Sequence, residues 1–334
     1  MLVARFVLRR VVLLFAVLFA VTFLGFSAMN LLGDPLVNVV GVLAELDCEG
    51  IEAGTVEDTT VDVASRDCDT VAAARAEYHL DRPIPVRYVL WLGDMATGDF
   101  GTSFQNDQPV SQVIREKLPE TVILLVMAQI VSLGVAVPWG VIAAYRANRA
   151  FDRGSTVASF GLLSVPNFAL GVVLLYLLAL RWQIFPSAYE SDSFGGLVFS
   201  MVLPALTLGL PLAASYQRLL RTDLITTLQE DFVHMARAKG LPPMRIMFRH
   251  ALRPSMFSVV TVFGVSTGTL IGGSLVVEQI FGIPGIGREI VTAVVRDDFP
   301  VVLAIVMVVA VTFVVLNFLV DLLYTWLDPR VRTR

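Results

Sequence analysis

Charge is scarce in this 334-residue chain: Asp, Glu, Lys and Arg make up 16% of it, against 56% hydrophobic residues. A mean hydropathy of +0.73 leaves more apolar surface than one soluble core can hide, so a water-soluble globule is excluded and the bilayer is the expected solvent. Histidine is nearly absent too, at His79, His234 and His250. Alternation across the membrane puts the first outside and the other two inside, so the three cannot share a metal. No G-x-x-x-x-G-K-[ST] phosphate loop and no H-E-x-x-H zinc motif occurs, and no nucleophile elbow is read in the chain. The expectation is a protein with no catalytic residue, cofactor or metal of its own. The spans also lack a central charge of the kind that marks a proton or ion pathway, so the driving energy is expected from a partner.

Cysteine is limited to Cys48 and Cys68. Both fall in a segment expected outside the cell membrane, where an oxidising compartment permits a single pairing. Closing that loop of about 20 residues would contribute roughly 3 kcal/mol of local order. A pair of free thiols is the alternative.

Long apolar runs are what the chain does have. Residues 11–33, 121–145, 154–180, 193–217, 254–277 and 299–320 contain no Asp, Glu, Lys or Arg. Each matches the roughly 20 residues that a helix rising about 1.5 Å per residue needs to cross the hydrocarbon layer. The first follows Arg5, Arg9 and Arg10 but is too long for a signal core and ends without a small-x-small cleavage site, so it reads as a retained helix. The expected fold is therefore an all-α membrane protein of six spans.

Basic residues cluster at the N-terminus, at 146–153, at 218–253 and at the C-terminal end. The positive-inside rule puts all four on the cytoplasmic side, which six crossings with both termini inside satisfy. The loops 34–120, 181–192 and 278–298 then lie outside. Residues 39–70 form a strongly acidic insert that includes Glu45, Asp47, Glu49, Glu57 and Asp67. An acidic outer loop and a basic inner face argue against nucleic acid as a partner. The second half of the loop interleaves Tyr78, Leu80, Tyr88, Trp91 and Leu92 with turn residues, and reads as a cap whose rings sit half-buried at the water-lipid interface. The expected division is 1–33 (N-terminus and first span), 34–120 (outer loop), 121–328 (five-span core) and 329–334 (tail).

Proline interrupts several spans, at Pro138, Pro166, Pro204 and Pro211. Bent helices suit a gated pathway and are also common in membrane bundles. In the fifth span Gly264, Gly268 and Gly272 recur at spacing four, a stripe for close helix packing or for a smooth pathway wall.

The segment 229–254 combines charge with shape. Within HMARAKGLPPMRIMFRHALRP, residues 234–254, lie five of the 25 Lys and Arg residues. Gln229 to Lys239 can form a short helix, Gly240 suits a left-handed C-terminal cap, and Pro242 and Pro243 restart the chain as first-turn residues. Met244, Met247, Phe248 and Ala251 then form one apolar stripe, with Arg245 and Arg249 facing away. An interfacial helix held by anionic lipid headgroups accounts for the charge. It does not require the bend, nor the small residues Ala236 and Ala238.

ARAKGL followed by RHALRP resembles the cytoplasmic coupling loop of permease subunits of ATP-binding cassette importers, in the dipeptide, oligopeptide and nickel subfamily. The likeness continues in FVLRR, GDP at 33–35, LDRPIPVRYVLWL, GDFGTSF, LPETVILL, PWGVIAAYR, EQIFGIPGIGREIV, RDDFPVV and NFLVDLLYTWLDPRVR. The resemblance implies a type I importer permease fold in a bacterial inner membrane. It implies a second, similar permease, two ATPase subunits and an external substrate-binding protein as partners. It places the ATPase-coupling role on His234, Ala236, Lys239, Gly240, Pro243, Arg245, Arg249 and Leu252. Peptides are the expected cargo, with nickel complexes or another small solute as alternatives. A self-contained membrane sensor without ATPase partners is the rival class.

Overall fold

The computed structural model describes residues 2–32 and 79–327, with positions 68, 71–73, 75 and 76. In chain order the helices are α1 (Leu2–Leu32), α2 (Ile84–Thr97), α3 (Val110–Tyr145), α4 (Ala150–Ser164), α5 (Asn167–Leu174), α6 (Phe194–Thr227), α7 (Asp231–Ala238), α8 (Pro243–Arg245), α9 (Leu252–Phe281), α10 (Ile286–Val295) and α11 (Phe299–Leu327). A π-helical stretch, Leu175–Arg181, prolongs α5, and a second, Ile246–Ala251, joins α8 to α9. Among the described residues the only β pairing is an isolated bridge between Thr102 and Pro109.

Among the described residues, four helical runs are long and apolar enough to cross a membrane: Val110–Tyr145, Phe194–Thr227, Pro243–Phe281 and Phe299–Leu319. The expected third span is not one straight helix, since α4 and the α5 run are bent by 102°. The break sits at Val165, extended at φ −88° and ψ 124°, and Pro166, at φ −59° and ψ 141°. A proline ring clashes with a helical predecessor and supplies no N–H, so Val165 is forced out of the helix and α4 ends at Ser164. Counting the bent pair as one span gives five, and α1 adds a shorter apolar stretch, Leu14–Met29. Pro138, Pro204 and Pro211 stay inside continuous helices, as does Pro119.

The chain divides into two compact units. One holds Lys117–Glu289 with Met1–Arg10 and Thr312–Arg334; the other holds Val11–Glu116 with Ile290–Val311. In the first, α6 is the central helix, with Met201, Leu203, Leu208, Tyr216, Leu220 and Leu224 all buried. Its first half meets Leu124 and Ala128 of α3 and Leu270, Val277 and Phe281 of α9 in one apolar cluster. Its second half meets Ala136, Val141 and Ala144 of α3 and Met247, Ala251 and Val259 in another.

The close approaches coincide with the glycine stripe only in part. Gly209 of α6 faces α3 so tightly that a Cβ there would lie 2.8 Å from Ala128 O. At Gly268 a Cβ would meet the Phe313 ring at 2.5 Å, whereas at Gly272 it would meet nothing within 4 Å. Gly272 is exposed and Gly264 is buried. The stripe is therefore split between a packed position and an open one.

In the second unit the expected half-buried ring of Tyr88 is instead 1% exposed. Its hydroxyl is 2.7 Å from Thr22 Oγ1, and Phe19, Phe23 and Phe26 stand edge-on around it. A phenol with a hydroxyl partner in reach has no need of water, which is why it goes inside. Asp298 fastens the 101–109 loop of the same unit, accepting from Ser103 Oγ and from Phe104 N at 3.1 Å. Cys48, and with it the expected pairing to Cys68, lies outside the described residues, as do Tyr78, the tail 329–334 and nearly all of the acidic insert.

Candidate functional site

The 229–254 segment folds into an elbow between α6 and α9, and its corner is a helix cap formed from backbone hydrogen bonds. Asp231 occupies the first turn of α7 and Arg237 the last, each sign matching the helix dipole at its end. Gly240 takes φ +76°, Gly240 N donates to Arg237 O at 2.9 Å, and Leu241 N donates to Ala236 O at 3.3 Å. These two bonds and the left-handed residue make a Schellman motif, a geometry that disfavours any residue with a Cβ at the corner. Pro242, at φ −67° and ψ 146°, then turns the chain into α8, with Pro243 as the first helical residue.

The underside of the elbow is apolar: Val233, Ala236 and Ile246 are buried together, packed on Leu228 and Leu241. Ala236 is thus not presented to a partner. Its small side chain lets α7 lie against the Ile246 turn. The two arms are pinned where they meet the long helices, with Thr227 Oγ1 and Ser255 Oγ 3.0 Å apart.

The second arm departs from the expected amphipathic helix in two ways. It runs without a break into α9, and its buried face consists of Ile246, Met247 and Ala251, while Met244 and Phe248 are exposed. A π-helical turn bonds i to i+5, so neighbours on one face are four and five apart. That register puts Ala251 over Ile246 and Met247 and releases Phe248. The outer surface of the elbow therefore carries Phe232, Met235, Met244 and Phe248, interspersed with exposed His234, Arg237, Lys239, Gly240, Pro243, Arg245 and Arg249. Leu252 is half-buried at the join.

One basic residue counted in the sequence toward sidedness is paired. Arg221 binds Asp152 with both nitrogens of one edge, Nη2 at 2.7 Å from Oδ2 and Nε to Oδ1, and Asp152 also accepts from Asn148 N at 2.8 Å. This bidentate contact ties the 146–149 turn and α4 to the end of α6 that enters the elbow. Beside it Gln217 receives Ser159 Oγ at 2.7 Å and donates to Ser155 Oγ at 3.1 Å.

Sequence reasoning also missed a polar seam through the long helices. Gln129 of α3 donates to Thr267 Oγ1 of α9 at 2.8 Å and accepts from Tyr216 of α6 at 3.1 Å; the Tyr216 hydroxyl also meets Ser266 Oγ. Gly264-Val265-Ser266-Thr267-Gly268 does match the G-x-S-x-G spacing, contrary to the expectation that none is present. Ser266, however, lies in the interior of α9 and is buried, not on a strand-to-helix turn that would expose a nucleophile. The only hint of the seam in the sequence was hydroxyl and amide residues inside charge-free runs.

The geometry is that of a helical membrane protein with an exposed elbow. Residues 136–333, more than half of the chain, match the model of the binding-protein-dependent transport system inner membrane component family. The chain belongs to this family. Its relatives include the oligopeptide transport system permease protein AppB of Bacillus subtilis, 33% identical over 98% of this chain and 99% of that protein. A putative peptide transport system permease protein of Brucella abortus is 38% identical over 98% of each chain. A probable peptide transporter permease of Sinorhizobium fredii is 36% identical over 78% of this chain and 85% of its own. This permease is accordingly an inner-membrane component of a transport system. The matched region contains the whole elbow, α6 and α9.

Proposed function

We propose that this permease is one half of the translocation pathway of an ATP-driven importer of peptides, paired with a second, similar permease. Peptide cargo is inferred from the relatives, which are peptide and oligopeptide permeases by name. The proposed topology is six spans with both termini cytoplasmic, the bent α4 and α5 run counting as one and α1 as another.

The observation that carries the reading is the elbow. Four large apolar side chains, Phe232, Met235, Met244 and Phe248, stand exposed there among His234, Lys239, Arg245 and Arg249. Association surfaces join apolar anchors to a charged rim in this way. Two nucleotide-hydrolysing ATPase subunits are the proposed occupants, one on this elbow and one on the equivalent elbow of the second permease. An external substrate-binding protein is the proposed partner on the opposite face. The chain itself hydrolyses nothing; motion of the ATPases reaches α6 and α9 through the Thr227–Ser255 pin and the unbroken run from Pro243 to Phe281.

Reconstitution of the whole complex in vesicles tests this. Peptide loaded on the binding protein is expected to stimulate ATP hydrolysis and to accumulate inside. Hydrolysis that responds to nickel complexes or sugars but not to peptides would reassign the cargo. Purified material with no nucleotide-binding subunit would favour the sensor class.

A further inference from the structure

The end of α9 remote from the elbow encloses a carboxylate that the elbow does not use. Glu278 is 0% exposed. Its Oε1 accepts from Thr121 Oγ1 of α3 at 2.8 Å and its Oε2 from Arg288 N at 2.9 Å. Thr121 Oγ1 accepts in turn from Ile286 N at 3.0 Å. The chain between these bonds wraps the carboxylate: Gly282, at φ +69°, ends α9, Ile283 N returns to Glu278 O at 3.0 Å, and Arg288 Nη1 donates to Gly282 O at 3.0 Å. Gly285 and Gly287 are required by proximity. A Cβ at Gly285 would overlap the carboxylate and lie 2.5 Å from Thr121 Oγ1; one at Gly287 would lie 2.8 Å from Oε2 and 2.9 Å from Leu275 Cα. A carboxylate suits the place because both oxygens receive donors, whereas a glutamine would turn its amide N–H toward one of them.

The same two helices, α3 and α9, are also joined by Gln129 and Thr267 at 2.8 Å. Thr121 and Gln129 are eight residues apart, roughly 12 Å along a helix, and Thr267 and Glu278 are eleven apart, roughly 16 Å. Two pins at separate levels block both sliding and rolling of one helix on the other; a single pin would leave a pivot. Breaking the Glu278 pin would strand buried donors, which is unfavourable compared with moving the pinned parts together.

We infer that Glu278 is a positioning residue for transport: it welds the Thr121 turn of α3, the end of α9 and the loop into α10 into one block that is displaced as a whole. The inference rests on the proposed reading only where it invokes the transport cycle. Motion starting at the elbow then reaches the far end of α9 undiminished.

The test places spin labels at Val122 and Val276, both exposed, in a background without Cys48 and Cys68. In the complex with its ATPases, the interlabel distance distribution is expected to be narrow and the same with and without ATP. In Thr121→Val it is expected to broaden, and in Thr121→Ser, which keeps the hydroxyl, to narrow again. Transport per ATP hydrolysed should fall about fivefold to tenfold in Thr121→Val, on the scale of one buried hydrogen bond, and recover in Thr121→Ser, each value normalised to the amount of assembled complex. A wild-type distance that shifts with nucleotide overturns the inference, as does a Thr121→Val variant that stays narrow and fully coupled. If no ATPase associates, the importer reading fails, and the width comparison on the isolated permease still decides the weld.

Discussion

The elbow and the Glu278 loop both turn on a glycine held in the left-handed region, Gly240 at φ +76° and Gly282 at φ +69°, and they orient their side chains oppositely. After Gly240 the chain presents Met244, Arg245, Phe248 and Arg249 outward. After Gly282 it buries Ile283 and Ile286 and closes on a carboxylate. The cap chemistry is common to both, so a glycine-capped helix end does not by itself mark a docking surface. What separates the two is how many neighbours the following residues have. The elbow is braced from below by Val233, Ala236 and Ile246 and left uncovered above, whereas the loop turns Ile283, Gly285, Ile286 and Gly287 inward around Glu278 and leaves only Gly282 and Arg288 exposed among residues 282–288.

This contrast can be broken or sharpened by substitution, beginning with the largest expected effect. Glu278→Ala orphans the donors from Thr121 and Arg288, at about 1–3 kcal/mol for each buried unpaired group, so the melting temperature of the purified permease should drop clearly. Arg245→Glu with Arg249→Glu, both exposed, should leave it within about 0.5 kcal/mol equivalent. A large stability loss in the elbow variant would erase the distinction between the regions. Next comes Gly209→Ala, whose methyl meets the Ala128 carbonyl and Val131; overpacking there should destabilise by about 1–3 kcal/mol, seen as a lower midpoint in thermal scans. Gly240→Ala should cost about 1 kcal/mol through its positive φ alone, because nothing lies within 4 Å of the new Cβ. Gly272→Ala, equally open but at a helical φ, should be neutral or stabilise by up to about 1 kcal/mol. If Gly272→Ala instead impaired transport at unchanged stability, that open position would belong to the pathway wall.

Legibility followed the range of the interactions. The elbow corner could be read almost residue by residue, since a Schellman cap and a Pro-Pro restart are decided by φ preferences within six residues. Its buried face was misread because the register there comes from a π-helical turn, which no local preference announces. Four of the six charge-free windows fall in long apolar helices, whereas the 154–180 window breaks by 102° at Val165 and Pro166 and the first yields the shorter apolar stretch Leu14–Met29. The internal seam of the long helices, Gln129 with Tyr216 and Thr267, was not legible, because a hydrogen bond between positions 129 and 267 has no signature in either local sequence. Glu278 sits one residue beyond the fifth charge-free window and drew no reading from the sequence. Two glycines at 285 and 287 were the available signal, and only a fold that brings Thr121 to them gives it meaning. Ala236 shows the reverse error: a small residue at a suspected interface was small for the fold's own packing.

Co-purification most directly tests the claim that the exposed elbow is the surface through which this permease is driven. The wild-type permease, tagged and extracted with its partners, is expected to retain nucleotide-binding ATPase subunits and peptide uptake. The Arg245→Glu, Arg249→Glu variant is expected to insert and melt normally but to lose both. Retention of the ATPase and of uptake by that variant, at normal abundance, would contradict the account.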